Sequence, residues 1–451
     1  MDKFNSYISN IPSDFFKGLC LKYGSVHTYK NRKIFLFLLF MLTVSHMSIA
    51  QDMNHSEKSA SCASFSKMFN QIKAICDKDN GKLWGINLYA PILCIDKNRN
   101  VWSNQQDSQC QLQICGKCFI GKYPDDKNIA NSTMNAFGQK WVTMMLPIPT
   151  DTTDRNILFC HEMFHYWQDS LGHVPTPYNN VHMETKEARI LLKLEWKAFL
   201  SACKATNPLL REIAIRDGLT FRRQRQDEFS KYYSDETAFE VHEGLPQYTG
   251  MKLSISSDAR YIDKLNKEAE SYMKKDELVR CYAYLSGPIL GYLLDKSTNE
   301  WRKQVDGNSD LGILVQKAYN IVLPTDKENH IQQRKAYYDY DNIMTFENQR
   351  DSVRAIKKNE LTALFTQDIK TLPLKNIQIS FNPNTVVPLE NIGIVYKNAR
   401  IVDEWGILET KGNGTVLITE DWKTVILPYA SSIEVNGNIE ETEFWKLTPK
   451  L

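Results

Sequence analysis

Two histidines and a glutamate in one short segment have the spacing of a metal-dependent hydrolase. Residues 161–165 read His-Glu-Met-Phe-His. On a helix, His161 and His165 lie one turn apart on the same face, so both imidazoles can reach one ion. Imidazole suits Zn²⁺, which prefers nitrogen, sulfur or carboxylate ligands in a tetrahedral shell. Glu162 is then placed to act as the general base. The pattern predicts a site for one zinc ion; two buried histidines without a metal are the alternative.

A catalytic zinc needs a third protein ligand and one open position. The best source is the segment 234–248, in which Glu236, Glu240 and Glu243 fall on one face of a predicted helix. Three carboxylates on an otherwise apolar helical segment are unfavourable unless positive groups lie opposite. The segment therefore predicts that something positive lies opposite these carboxylates, and it is the best source of the third ligand.

These motifs together resemble those of the gluzincin zinc metallopeptidases related to aminopeptidase N. The resemblance rests on His161-Glu162-x-x-His165 followed by Glu243-Gly244-Leu245-x-x-Tyr248. In that family the glutamate of the second motif is the third zinc ligand, which implies this role for Glu243. The resemblance covers about residues 140–295. It implies a zincin-like catalytic domain that hydrolyses peptide bonds.

The resemblance also implies roles for residues around the ligands. Asp169 matches an acid or amide that hydrogen-bonds a ligand histidine and fixes its tautomer. The run Tyr284-Leu-Ser-Gly resembles the family's Tyr-x-Lys-Gly, whose tyrosine stabilises the oxyanion. Tyr284 is therefore the first candidate for that catalytic role and Tyr248 the second. Pro246 departs from the family pattern and is expected to kink or end the helix just after Glu243.

Other residues remain alternatives for the ligand set. Glu187 and Glu195 lie on a helix predicted from about residue 183 to 202, and Glu240 lies one turn before Glu243. Zinc accepts any well-placed carboxylate, so each is an open alternative as third ligand. His242 is predicted to lie beside the ligands or at the surface, and Cys160 is predicted to be a buried free thiol.

The first fifty residues have the features of an export signal. Arg32 and Lys33 precede an apolar run over 34–44, and Ser48-Ile-Ala50 supplies small residues at a cleavage position. The run is short for a bilayer span, which needs about 20 residues. We predict a signal peptide with an extended n-region over 1–50, cleaved after Ala50, and a secreted or periplasmic product with no stable membrane span. An uncleaved N-terminal anchor is the alternative.

Export permits disulfides, and the cysteines are concentrated near the new N-terminus. Removal of Cys20 leaves nine cysteines, six of them between Cys62 and Cys118. An odd number leaves at least one unpaired or paired between chains. A disulfide framework is predicted for this part of the chain. Metal binding by Cys110, Cys115 and Cys118 is the alternative.

The composition is that of a globular chain. Hydrophobic residues make up 42% and charged residues 24%, which excludes a disordered, fibrous or multi-span membrane protein. Lys and Arg number 55 against 53 Asp and Glu, so there is no basic field for nucleic acid. The expected partner, a peptide or protein substrate, is implied by the resemblance to the peptidases.

The hydrophobic pattern predicts an α+β protein with a small C-terminal all-β domain. Helical spacing covers Ser61 to Cys76, strand-like runs cover Leu83 to Ile95, Val101 to Ser103 and Lys140 to Leu146, and mostly helical spacing follows to about residue 320. Five short β-type runs lie beyond residue 376, with Trp405, Trp422 and Trp445 expected in or beside their core. The predicted segments are 51–135 (N-terminal, cysteine-containing), 136–330 (catalytic), 331–375 (connecting) and 376–451 (β-sandwich or barrel).

The sequence as a whole predicts an exported zinc metallopeptidase. A non-catalytic surface or binding protein on a peptidase-like scaffold is the alternative from another functional class. Hydrolysis of a bond other than a peptide on the same metal site is a third reading.

Overall fold

The computed structural model describes residues 61–124, 127–174, 176–297, 300–381, 385–389 and 391–450. The predicted signal segment 1–50 and its cleavage position lie outside the described residues. The chain forms two compact units. Of the described residues, the first unit contains those within 61–71, 91–128 and 136–139, and the second contains those within 72–90, 129–135 and 140–450.

The first unit combines the start of a helix with a small antiparallel sheet. Helix α1 is described over 61–79, which confirms the predicted helix and extends it by three residues. Four strands follow in the order β3–β4–β2–β1, namely β1 (Ile92–Ile95), β2 (Asn100–Ser103), β3 (Gln113–Cys115) and β4 (Cys118–Lys122). The β1–β2 hairpin is confirmed, but its first strand begins nine residues later than predicted. Gly81 and Gly85 both have positive φ, and these turns interrupt the extended run.

One disulfide joins the helix to the sheet of this unit. Cys62 on α1 pairs with Cys115 at the end of β3, with 6.2 Å between their Cα atoms. The alternative of a metal site on Cys110, Cys115 and Cys118 is therefore wrong, because the Cys115 sulfur is used and Cys110 is exposed. Cys160 is a buried free thiol, as predicted.

Most of a second hairpin and the helices that follow it belong to the second unit. The hairpin strands are β5 (Ser132–Ala136) and β6 (Gln139–Met145). The helices that follow are α2 (Thr152–Trp167), α3 (Lys186–Lys204), α4 (Pro208–Glu228), α5 (Tyr233–Phe239), α6 (Leu245–Ser254), α7 (Asp258–Tyr272), α8 (Ala283–Ser297), α9 (Leu311–Ala318), α10 (Lys327–Arg334) and α11 (Tyr340–Leu364). A five-residue π-helix, Glu240–Gly244, joins α5 to α6. Within the described residues, no helix is both long enough and apolar enough to cross a membrane.

Side-chain caps and an apolar core explain where these helices begin and how they pack. Asp151 accepts a hydrogen bond from the Asp154 amide at the start of α2, and Thr185 accepts one from Ala188 at the start of α3. The core of the helical region takes in one face of each of the longer helices. The apolar side chains that repeat with helical spacing on α3 and α8 are largely buried, and Phe199, Leu285 and Leu293 belong to this core.

The C-terminal part is a pair of antiparallel sheets around its own core. One sheet has the order β7–β14–β13–β10–β9 and the other β15–β16–β17–β12–β11–β8. All five predicted strands are present. The strands are β7 (Ile369–Pro373), β8 (Gln378–Ser380), β9 (Val387–Leu389), β10 (Gly393–Lys397), β11 (Arg400–Asp403), β12 (Gly406–Thr410), β13 (Thr415–Thr419), β14 (Thr424–Pro428), β15 (Glu434–Asn436), β16 (Ile439–Glu441) and β17 (Trp445–Pro449). The chain is thus mixed α+β, with the helices and the sheets in separate regions.

The segment 331–375, predicted as a connection, is largely helical. Helix α11 occupies most of it, and β7 at its end pairs with β14. Glu347 of α11 is fully buried and pairs with Arg189 and Lys193 of α3, which fixes α11 against the helical region. Trp445 is buried in the β core, whereas Trp422 is exposed at a hairpin turn.

Candidate metal centre

Helix α2 supplies the first two donors of the site. His161 and His165 are one turn apart on its inner face, and their Nε2 atoms are 3.1 Å apart. His161 is almost fully buried, and the side chain of His165 is 15% exposed. The predicted helix and the shared face of the two imidazoles are therefore confirmed.

The π-helix supplies the third donor. The Glu243 Oε2 atom lies 3.4 Å from Nε2 of His161 and 3.5 Å from Nε2 of His165. One donor atom from each of these three residues lies within 4.8 Å of the others, so the group could hold a metal ion. Burial would raise the pKa of Glu243, but the two imidazoles hold that pKa far below its usual range. Glu243 is therefore a carboxylate.

Pro246 shapes the backbone behind Glu243 without ending the helical path. The structure places this proline in the first turn of α6, where a missing N–H is tolerated. The helical path does not end there, but its α-helical pattern is interrupted by the π-helix that precedes Leu245. A π-turn inside a helical stretch is rare and frequently found at functional sites. Pro246 has no N–H to donate to the carbonyl of residue 241 or 242, so a side chain can donate there instead.

Gln168 takes up those two oxygens and orients a histidine. Its Nε2 donates to the carbonyls of Val241 and His242, each at 3.3 Å. Its Oε1 is consequently turned toward Nδ1 of His165 at 2.8 Å. Since an amide oxygen only accepts, Nδ1 of His165 carries the proton and Nε2 presents its lone pair to the site.

The role predicted for Asp169 is therefore wrong. Asp169 is exposed, in the turn beyond the last residue of α2. Gln168 is three residues after His165 and still continues the helical backbone, so its side chain remains on the ligand side. Gln168 and Asp169 are adjacent in the sequence, and the residue at which α2 ends determines which of the two side chains reaches His165.

A second glutamine orients the other histidine. Gln247 Oε1 lies 3.1 Å from Nδ1 of His161, which leaves Nε2 of that ring as the free lone pair. Gln247 is four residues after Glu243, so the two side chains project from neighbouring turns of the same face. Sequence reasoning missed Gln247, although this spacing was a signal that could have identified it.

Tyr284 of α8 lies against the metal centre. Its hydroxyl donates to Glu243 Oε2 at 2.7 Å, and its ring stacks on His161 with 5.3 Å between ring centroids. The close approach needs two glycines, because a Cβ on Gly287 would lie only 2.3 Å from the Gly244 Cα. Burial raises the pKa of Tyr284, so the phenol keeps its proton. The structure thus brings the first candidate for the oxyanion role to the site.

Tyr248, the second candidate, is elsewhere. Its side chain is fully buried, its hydroxyl lies 2.9 Å from both carboxylate oxygens of Asp295, and Arg302 contacts the same hydroxyl. Tyr248 is five positions after Glu243 on the helical path, and this offset turns the tyrosine side chain away from the ligand face. Its predicted catalytic role is wrong.

The alternative third ligands have other partners. Glu240 makes a two-pronged pair with Arg222 at 2.7 and 2.6 Å, and Glu195 pairs with Arg222 and Arg225. Glu187 is exposed on α3. Positive groups thus lie opposite the carboxylates of this segment, and Glu243 alone among the candidates faces the imidazoles.

Glu162 lies on α2 beside the three donors. The residue is 6% exposed, and burial raises the pKa of its carboxyl group, while the neighbouring imidazoles act in the opposite direction. The site therefore contains, besides the three donors, one further carboxyl group able to accept a proton.

His242 and Tyr178 complete the surroundings. His242 is outside the group of three donors, as predicted, and its ring meets the His165 ring edge-on with 5.2 Å between centroids. The Tyr178 hydroxyl lies 3.0 Å from Nδ1 of His242. Tyr178 comes from the loop between α2 and α3, and no motif in the sequence pointed to it.

Comparison with protein-family models, curated proteins and solved structures finds no match to this chain.

Proposed function

We propose that the chain is a zinc-dependent peptidase that acts after export. The observation that carries the proposal is the convergence of three lone pairs. Both imidazoles have Nδ1 next to a glutamine oxygen, so each neutral ring presents its Nε2 lone pair to the site. The two Nε2 atoms lie 3.1 Å from each other and 3.4 and 3.5 Å from Glu243 Oε2. Such an arrangement is repulsive unless protons on the imidazoles or a metal cation lie among the three atoms.

The donor spacing supports zinc as that cation. Bond lengths of about 2.0–2.1 Å in a regular tetrahedron place neighbouring ligands about 3.3 Å apart. The three separations of 3.1, 3.4 and 3.5 Å match this value. Two imidazoles and one carboxylate are also a ligand set of catalytic zinc, which leaves a fourth position open.

The residues around the ligands support hydrolysis. When bound, a zinc ion polarises a carbonyl group and makes water acidic enough to lose a proton near neutral pH. Glu162 is the carboxylate that accepts this proton and passes it to the leaving amine. The Tyr284 hydroxyl, now donating to Glu243, is the donor available to the carbonyl oxygen as negative charge develops there.

The nature of the substrate rests on the motif resemblance and on the compartment. The paired motifs resemble those of peptidases, which favours a peptide or protein substrate. The Cys62–Cys115 disulfide supports an oxidising compartment, in line with the export signal expected from residues 1–50. A zincin-like arrangement of α2 behind the β5–β6 hairpin belongs to the same proposal.

Replacement of the base tests the proposal. Glu162→Gln in the zinc-loaded chain is expected to lower cleavage of an unfolded protein substrate by about 10²–10⁴-fold while leaving the bound metal in place. Glu187→Gln, an exposed glutamate on α3, is the matched control and should keep full activity. Full activity in Glu162→Gln would contradict the mechanism.

A further inference from the structure

His242 has one ring nitrogen engaged and one free. Nδ1 lies 3.0 Å from the Tyr178 hydroxyl. Among the described residues no group hydrogen-bonds Nε2 of His242, and this nitrogen is not among the buried unpaired atoms. The side chain is 25% exposed, so Nε2 opens onto solvent.

Tyr178 is the hydrogen-bond partner of Nδ1 of His242, with 3.0 Å between the hydroxyl oxygen and the nitrogen. Either group can donate in such a pair, because a phenol both donates and accepts and a neutral imidazole has two tautomers. When the phenol donates to Nδ1, the proton of the neutral imidazole is on Nε2, on the open side of the ring.

The free donor lies beside the metal centre. The His242 and His165 rings are 5.2 Å apart between centroids, at an interplanar angle of 70°. Nδ1 of His242 is 3.8 Å from Glu243 Oε1, so the ring lies beside the third donor residue. A donor role requires that the Nε2–H group reach a carbonyl group bound at the open position of the centre.

We propose that His242 is a second hydrogen-bond donor to the oxygen of the scissile carbonyl, and that Tyr178 is the positioning residue that holds it in the Nε2–H tautomer. This rests on the proposed hydrolytic function. The step is a hydrogen bond and not a proton transfer, so both residues keep their protons. In this assignment Tyr284 donates from α8 and His242 donates from the π-helix.

A double-mutant cycle on the zinc-loaded full chain tests this assignment. The variants are His242→Phe, Tyr178→Phe and their combination, assayed on a quenched fluorescent peptide that the wild type cleaves. Loss of a donor to a developing oxyanion lowers kcat by about 10²–10³-fold. We expect His242→Phe to lose about 10²-fold in kcat with little change in KM and with zinc content unchanged. Tyr178→Phe should lower kcat roughly tenfold, because the His242 ring is then free to take either tautomer.

The double variant shows whether Tyr178 acts by positioning His242 or has an independent structural role. If Tyr178 acts through His242, adding Tyr178→Phe to His242→Phe has no further effect on kcat. Fully additive losses would overturn the positioning role, and wild-type kcat in His242→Phe would overturn the donor role. His242→Gln, which keeps an N–H donor, should recover part of the lost kcat. Tyr337→Phe removes a phenol that is 73% exposed and should match the wild type.

Loss of zinc and failure of the proposed function have separate signatures. If His242→Phe loses zinc, the kcat values of His242→Gln and Tyr178→Phe test the inference instead. A wild-type kcat in both variants overturns it. An active wild type with an inactive Glu162→Gln variant and a fully active His242→Phe variant overturns the role of His242 alone. A zinc-loaded wild type without cleavage activity overturns both proposals.

Discussion

The segment from Glu236 to Glu243 supplies carboxylates to two neighbouring regions with opposite properties. Glu236 and Glu240 enter a buried ion cluster, and Glu243 enters the metal centre. The buried ion cluster consists of Arg222, Arg225, Glu195, Glu236, Glu240, Asp310 and His182. Its carboxylates meet N–H donors, whereas Glu243 meets two nitrogen lone pairs.

The difference teaches that the partner, and not the residue type, decides which carboxylate can bind a metal. A guanidinium is always charged and donates N–H groups to the carboxylate, so a paired carboxylate has its charge balanced and fewer lone pairs free for an ion. An imidazole held by an amide oxygen at Nδ1 has the reverse effect and adds a lone pair of its own. One helical face therefore carries both a closed ion cluster and an open ligand set.

Removal of one carboxylate from each region, in separate variants, gives the largest expected difference. Glu243→Ala removes a donor and should weaken zinc binding by more than about 100-fold, with cleavage activity lost. Glu240→Ala should keep the zinc stoichiometry, because this residue contacts Arg222 and not the imidazoles. Metal content after dialysis against a trace of zinc measures both. A Glu240→Ala variant that loses zinc and a Glu243→Ala variant that keeps it would reverse the distinction.

Breaking the buried ion cluster should cost stability and not metal. Arg222→Met leaves Glu240 and Asp310 without their buried cationic partner and should lower the free energy of unfolding by about 3–5 kcal/mol. Urea denaturation measures this change. Arg400→Met, which breaks a half-exposed pair with Glu409, is the control and should cost less than about 1 kcal/mol. Equal losses in the two variants would mean that burial of the cluster contributes nothing.

The cluster also predicts a pH dependence of stability. Burial would raise the pKa of Glu236, but Arg225 and His182 lower it to about 2 from 4.5. A lowered pKa means that the charged form stabilises the fold above pH 4.5, by up to about 3 kcal/mol, and that this contribution is lost as the pH falls toward 2.

Glu236→Gln should therefore be much less stable than the wild type at neutral pH, and the difference should shrink between pH 4.5 and about 2. Urea denaturation at a series of pH values measures the difference. Glu212→Gln, at an exposed site on α4, should show no such trend. A stability difference that stays constant over this range would contradict the pairing of Glu236 with Arg225.

The orientation of the ligands gives the smallest effect. Gln168→Ala frees Nδ1 of His165 and should weaken zinc binding by about 10–100-fold, as loss of a group behind a ligand does. Asp169→Ala, one residue further on, should leave zinc binding unchanged. Competition with a chelator of known affinity measures both variants. Equal effects of the two substitutions would remove Gln168 from the site.

Local sequence patterns were enough for one half of the metal centre. The i,i+4 spacing of His161 and His165 holds on any helix, so their shared face followed from the sequence. The choice among Glu195, Glu240 and Glu243 could not be made from the segment itself, because it depends on Arg222 and Arg225 of a different helix. The resemblance, and not the spacing, selected Glu243.

The residues behind the ligands depended on backbone details that the sequence does not display. The end of α2 after Trp167 brings Gln168 to the ligands, and the π-turn supplies the carbonyls that hold it. In the β region, five of the eleven described strands were predicted from their local patterns. Helix α11 was missed there because its fixed position depends on Glu347 reaching Arg189, 158 residues away in the chain.

Metal analysis of the purified chain tests the metal centre most directly. After dialysis against a trace of zinc, the wild type should retain one ion per chain, and a variant with His161→Ala, His165→Ala and Glu243→Ala should retain none. A wild type that binds no zinc, or a triple variant that still holds one ion per chain, would show that these three residues are not a zinc site.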